Sequence, residues 1–171
     1  LMELTNAYAT LARMGMHRPV RLLASDAETV EQVFDARHAW LVADMLSDNA
    51  ARSPAFGWES ALVFEFPVAC KTGTSSDFRD NWAMGYTPEF TVGVWVGNFD
   101  GAPMQNVSGV TGAAPVMHTV MEHLHERFGT SGFEQPNGLT RAQVNRISGR
   151  RAGEGVAEWF VAKQLPPKES R

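Results

Sequence analysis

Lys71-Thr72-Gly73-Thr74-Ser75-Ser76-Asp77-Phe78-Arg79-Asp80-Asn81-Trp82-Ala83-Met84-Gly85-Tyr86-Thr87 is the stretch on which the fold turns. It begins inside a strand of about 66–75 and ends in a second of about 81–87, where Trp82, Met84 and Tyr86 alternate with small residues. A third strand of about 90–98 follows, with Phe90, Val92, Val94 and Val96 on one side. Pro88-Glu89 is a short connection, so the last two strands form an antiparallel hairpin. With the helices that flank this stretch in sequence, the chain reads as α/β (α+β) in class.

The helices lie outside this stretch. Leu4, Ala7, Tyr8, Leu11 and Met14 share one face of a helix over 1–15, with Gly15 at its stop. Asp35 is placed to N-cap a second helix carrying Ala39, Val42, Met45 and Leu46. Asn49 to Trp58, with Pro54 and Gly57, reads as a loop. After the Gly-rich run Gly109-Val-Thr-Gly112, a helix starts near Pro115 and reaches about Phe128. Its buried stripe is Val116, Met117, Val120, Met121 and Leu124.

Lys71 is the residue that points to chemistry. It is the only lysine in residues 1–128. An unpaired ammonium on a half-buried strand is costly unless an anion meets it. Strand alternation puts Lys71 and Gly73 on one face and Thr72 and Thr74 on the other. An ammonium and two hydroxyls beside an exposed strand edge suit one carboxylate of a peptide. Gly73 lets another backbone or a reacting atom come close. An edge N–H just past it suits half of an oxyanion hole. Taken alone, the three residues Lys71-Thr72-Gly73 also fit an ordinary strand with a paired lysine.

The bulk properties set limits. The 171 residues are 44% hydrophobic and 20% charged, enough for one domain with its own core. No apolar run approaches the length of a membrane span. The chain opens on helical periodicity instead of a charged leader, which suggests a piece of a longer protein. A single cysteine, Cys70, excludes an internal disulfide. From Gly129 to Arg171 seven Lys/Arg face four Asp/Glu, a net of +3; before it eight face fifteen, a net of −7. That shift marks a boundary, giving units of 1–128 and 129–171. Arg141, Arg146, Arg150 and Arg151 are read as belonging to a solvated linker rather than a nucleic-acid or lipid surface.

The run from Lys71 to Thr87, continued by Thr91-Val-Gly-Val-Trp-Val-Gly-Asn98, resembles class A penicillin-binding proteins. Phe78-Arg79-Asp80, Gly112-Ala-Ala-Pro115 and the opening Leu4-Thr-Asn-Ala-Tyr-Ala-Thr-Leu-Ala12 are similar to the 1C type. The resemblance covers residues 1–128, as the C-terminal half of a transpeptidase domain. More loosely, 129–171 is similar to the segment leading to that family's C-terminal domain. It implies the penicillin-recognising serine transpeptidase/β-lactamase-like fold, an antiparallel sheet flanked by helices. It also implies D,D-transpeptidation, in which a serine attacks the D-Ala-D-Ala bond of a peptidoglycan stem peptide. β-Lactams would acylate the same serine. By the same resemblance, Lys71, Thr72 and Thr74 hold the substrate carboxylate, Gly73 allows close approach, and the Thr74 backbone N–H helps bind the oxyanion. Neither a metal nor another cofactor is implied. The full-length protein would be bifunctional, with a glycosyltransferase half, and anchored at the periplasmic face of the bacterial inner membrane.

The departures are as informative. The family's nucleophile motif is S-x-x-K, and no serine here has lysine three residues on; Ser25, Ser60 and Ser75 are followed there by Glu28, Val63 and Phe78. The nucleophile is therefore expected from the missing N-terminal half of the domain, and the fragment alone is expected to be inactive. Loss of that half also leaves the third strand with an unpaired edge. Ser47-Asp48-Asn49 matches S-x-N literally but closes a helix 22 residues before Lys71, so it is read as a helix end. Two alternatives remain: a noncatalytic interaction module, and a serine β-lactamase-like hydrolase that would need Ser47.

Other reactive side chains receive plain readings. Cys70 is a small buried hydrophobe. His118, His123 and His125 are helix-surface residues whose spacing does not suit a metal. Trp82 and Trp95 pack the sheet, and Asp77, Arg79 and Asp80 are solvated loop charges, with substrate-side positioning the alternative.

Overall fold

The strand pattern around Lys71 produces a sheet that helices cover on both faces. A computed structural model describes residues 1–105 and 107–169. In chain order the elements are α1 (Met2–Ala12), β1 (Met16–His17), β2 (Glu31–Gln32), α2 (Ala36–Ser47), α3 (Asn49–Phe56), β3 (Ala69–Thr74), β4 (Asp80–Tyr86), β5 (Thr91–Gly97), α4 (Ala113–Phe128), β6 (Leu139–Val144) and β7 (Val156–Val161). The sheet order is β3-β4-β5, antiparallel throughout, with Lys71 opposite Met84, Gly73 opposite Trp82 and Trp82 opposite Trp95. At the β4–β5 turn, Thr87 Oγ1 accepts from the Glu89 and Phe90 amides, which fixes the two-residue Pro88-Glu89 connection.

Alternation sorts the side chains into two cores. On one face Cys70, Ala83, Val92, Val94 and Val96 meet Ala113, Ala114, Met117 and Met121 of α4, with Leu62, Phe64, Phe66 and Val68 closing the side. On the other, Ala69 and Tyr86 meet Ala12, Tyr8 and Leu11 around α1, with Ala43 and Leu46 of α2. Two glycines set how close the helices come. A Cβ on Gly85 would lie 2.8 Å from Met117 Sδ, and one on Gly93 would run into the Thr5 side chain of α1. Gly93→Val is expected to cost about 1–3 kcal/mol by overpacking. Gly132→Val, with no neighbouring atoms, should leave the thermal midpoint unchanged; equal midpoints for the two variants would refute this account of α1 packing.

Asp35 caps α2 as expected, its carboxylate accepting the Arg37 amide at 2.8 Å. The loop expected over Asn49–Trp58 is instead helix α3. Asp48 caps it by accepting the Ala51 amide at 3.0 Å. Pro54 is tolerated inside it because the Ser53 hydroxyl donates to Ala50 O at 3.0 Å, the carbonyl that an amide at Pro54 would have met. Arg52 then staples α3 to its surroundings, donating to the carbonyls of Leu46 and Leu62 and to Asn49 Oδ1.

Beyond Phe128, where the sequence suggests a solvated linker, β6 and β7 form an antiparallel hairpin. Val144 and Val161 are buried. Trp159 meets Trp40 of α2 edge to face at 5.7 Å, and Trp40 Nε1 donates to Phe133 O at 3.2 Å. The guanidinium of Arg141 lies 5.0 Å over the Trp159 ring, so one of the tail arginines is spent on packing.

Two of the three histidines of α4 also do more than face solvent. His118 stacks on Phe64 at 4.5 Å and His125 on Phe66 at 3.8 Å, tying the helix to the segment before β3. Among the described residues no cluster of His, Cys, Asp or Glu suited to a metal occurs.

Candidate active site

β3 is the last strand of its sheet, and among the described residues no strand pairs with its other side. Ser75 N–H donates to Asp80 O at 2.9 Å, across the start of the β3–β4 ladder. In an antiparallel ladder, inward and outward amides alternate. The Gly73 amide therefore faces β4, and the Thr72 and Thr74 amides face the open edge. This is the orientation that an edge oxyanion donor needs.

The side chains divide as alternation requires. Lys71 and Gly73 share a face with Met84 and Trp82, beside a shallow cleft of ≈ 300 Å³ to which Leu4 and Tyr8 of α1 contribute. Lys71 is exposed rather than half-buried, and its ammonium donates to the Thr72 carbonyl at 2.5 Å. Desolvation is therefore not what calls for an anion here; among the described residues the cation at the edge has only a neutral partner. Thr72 and Thr74 lie on the opposite face, against residues 107–112. A Cβ on Gly109 would come within 3.1 Å of Thr72 Cβ and 2.9 Å of the Gly73 and Trp82 carbonyls. The Gly109 amide donates to Thr74 Oγ1 at 2.9 Å. The four expected residues are thus together along one edge, split between its two faces.

Neighbouring side chains take structural roles. Cys70 is buried, its Sγ 3.6 Å from Val68 O, and burial pushes the thiol up to about 12. Such a thiol is no nucleophile at neutral pH. Trp82 and Trp95 pack at 6.4 Å, and Asp80 accepts from Trp95 Nε1 at 2.9 Å, so Asp80 is not a free loop charge. Arg79 and Asp77 form an exposed pair at 3.6 Å in the turn. The Ser47-Asp48-Asn49 triplet is a helix junction: Ser47 Oγ donates to Asp44 O, Asp48 caps α3, and Asn49 Nδ2 donates to Phe64 O. Asp48 lines a groove shared with Val144 and Glu158 of the hairpin, and none of the three lines the cleft beside Lys71. A larger cleft of ≈ 730 Å³ lies between α1 and β5, lined by Thr5, Arg13, Pro88 and Gly93, also without Lys71. Sequence reasoning missed Asn81, which is buried opposite Thr74, and the tight fit of Gly109; the Gly-rich run was the one signal for the latter.

An exposed Lys-Thr-Gly-Thr edge on a helix-covered antiparallel sheet can be compared with known proteins. Residues 1–122 match the family model of the penicillin binding protein transpeptidase domain. The chain belongs to that transpeptidase family. Penicillin-binding protein 1C of Escherichia coli is 30% identical over 98% of this chain, and penicillin-binding protein 1A of Clostridium novyi 26% over 97%. The chain spans about a fifth of the length of these relatives, 22% and 21%. Among solved structures, penicillin-binding protein 1A of Haemophilus influenzae superposes with a TM-score of 0.82 at 16% identity, over 96% of this chain and 32% of that one. PonA1 of Mycobacterium tuberculosis superposes at 0.60 and 22% identity, over 99% and 45%. At these identities the superpositions establish the transpeptidase-domain fold, mixed helix and antiparallel sheet, as the resemblance in sequence implies. The first superposition covers nearly all of this chain, so the fold it shares extends past α4 into the β6–β7 hairpin. No described helix is long and apolar enough to cross a membrane.

Proposed function

We propose that residues 1–128 form the C-terminal half of a D,D-transpeptidase domain, and that 129–171 begin the connection to a further domain. The open β3 edge would bind the D-Ala-D-Ala terminus of a peptidoglycan stem peptide. Lys71, Thr72 and Thr74 would meet its carboxylate, and the outward Thr74 amide would hold the oxyanion. The single observation that carries this reading is the ladder phase: it turns the Thr74 N–H outward on the edge that also presents the Lys71 ammonium. Gly73, without a side chain, would let the substrate backbone lie along the strand.

The reaction would run through a serine outside this chain, since no serine here is followed by lysine at the third position. Its hydroxyl oxygen would attack the penultimate D-Ala carbonyl and lose its proton to a base. The C–N bond would break, and terminal D-Ala would leave as the amine. A stem-peptide amine from a neighbouring strand would then attack the acyl-serine ester, forming the cross-link and returning the serine. A β-lactam would enter by the same first step and remain attached. By the resemblance in sequence, the full-length protein would be a bifunctional enzyme with a glycosyltransferase half, held at the periplasmic face of the inner membrane.

Labelling with a fluorescent penicillin, followed by denaturing electrophoresis, tests the reading. This chain should remain unlabelled, and the full-length protein should label. Label on this chain would place the nucleophile within it, with Ser47 the first candidate. Absence of label on both would favour a noncatalytic interaction module.

A further inference from the structure

We propose that Asn81 is a positioning residue for Thr74, holding residues 107–109 so that the Gly109 amide fixes the Thr74 hydroxyl at the substrate edge. The proposal rests on Thr74 meeting the substrate carboxylate, as argued above.

The observations form a closed circuit. Asn81 lies directly opposite Thr74 in the β3–β4 register, at a position where no ladder bonds are exchanged and side chains stand closest. It is fully buried. Its Nδ2 donates to Val107 O at 2.8 Å, and two residues on, Gly109 N–H donates to Thr74 Oγ1 at 2.9 Å. Met104 N–H also donates to Phe78 O at 3.1 Å, and Asn81 Nδ2 reaches Met104 Sδ at 3.8 Å.

Stability alone does not account for an amide here. The neighbouring positions on this face carry Ala83, Val94 and Val96. Asn81 Oδ1 is buried without a hydrogen-bond partner among the described residues, an arrangement that works against stability. What the side chain does supply is the bond to Val107, and thereby the place of Gly109. A threonine hydroxyl has one proton and two lone pairs. With one lone pair taken by Gly109 N–H, the oxygen is fixed and the proton is left to donate outward from an exposed position. A carboxylate is the acceptor this arrangement suits, and a hydroxyl held before binding loses less freedom on contact. Gly109 must be glycine for its amide to reach Thr74, because a Cβ would press on the Gly73 and Trp82 carbonyls at 2.9 Å.

The test measures acylation of the full-length protein by benzylpenicillin and by its methyl ester, which lacks the carboxylate charge. Thr74→Val is expected to slow acylation by the acid about tenfold or more, the value of a charge-assisted hydrogen bond, and acylation by the ester far less. Asn81→Ala is expected to slow the acid about three- to tenfold, to spare the ester, and to add nothing in the Thr74→Val background. Gly109→Ala provides a second perturbation from the loop side, with the same pattern expected, should Asn81→Ala fold poorly. If these variants slow acid and ester equally, or still act when Thr74 is valine, the residues serve general stability and the proposal falls. If Thr74→Val itself leaves both rates unchanged, the carboxylate reading of Thr74 fails, and this proposal with it.

Discussion

Replacing Lys71 by alanine in the full-length protein is expected to slow acylation by a carboxylate-bearing penicillin about a hundredfold, the upper range for loss of one charged hydrogen-bond partner. No other lysine occurs in residues 1–128, so no neighbouring ammonium from this part of the sheet can substitute. The side chain is exposed and, among the described residues, bonded only to the adjacent Thr72 carbonyl, so removing it opens no cavity and should leave the fold intact. Lys71→Arg should recover part of the rate, because charge is retained while the planar fork replaces a compact ammonium. The loss should be smaller with the penicillin methyl ester, whose neutral group gains little from a cation. Rates equal to wild type for Lys71→Ala would remove Lys71 from the site. Equal losses on acid and ester would leave it in the site but not on the carboxylate.

Trp40→Ala is expected to destabilise the protein by about 3–5 kcal/mol, as for other buried aromatics truncated to alanine. The indole is buried between α2 and the C-terminal hairpin, against Trp159 at 5.7 Å and with Nε1 on Phe133 O at 3.2 Å. Truncation would free the hairpin as well as empty the site. Denaturant unfolding should show the loss, and limited proteolysis should show earlier cutting between Phe128 and Leu139. Trp159→Ala should cost less, since its ring is only partly buried. An unchanged midpoint together with unchanged cleavage would return residues 129–169 to the status of a loosely attached linker.

The central hairpin was legible because its signals are local. Alternation at Trp82, Met84 and Tyr86 and the two-residue Pro88-Glu89 turn fix pairing without reference to the rest of the chain. The Asp35 cap was legible for the same reason, being a contact between residues two apart. Helix α3 was not, because Pro54 and Gly57 argue for a loop when taken singly. Ser53 answers the missing proline amide and Arg52 binds three acceptors around it, and neither compensation has a sequence signature. His118 and His125 were misread as surface groups because their aromatic partners lie on a different segment.

By itself, the sequence determined the three antiparallel strands, the division of Lys71 and Gly73 from Thr72 and Thr74, and the family, since each follows from residue order along a short stretch. The tertiary structure alone decided which amides of β3 face the open edge and what holds the Thr74 hydroxyl. It also decided that a basic tail packs as a hairpin against α2. The reason is distance along the chain. The bonds Asn81 to Val107, Gly109 to Thr74 and Trp40 to Phe133 join residues 26, 35 and 93 positions apart. Local propensity carries no information about partners so remote; only the packed chain brings them within a hydrogen bond.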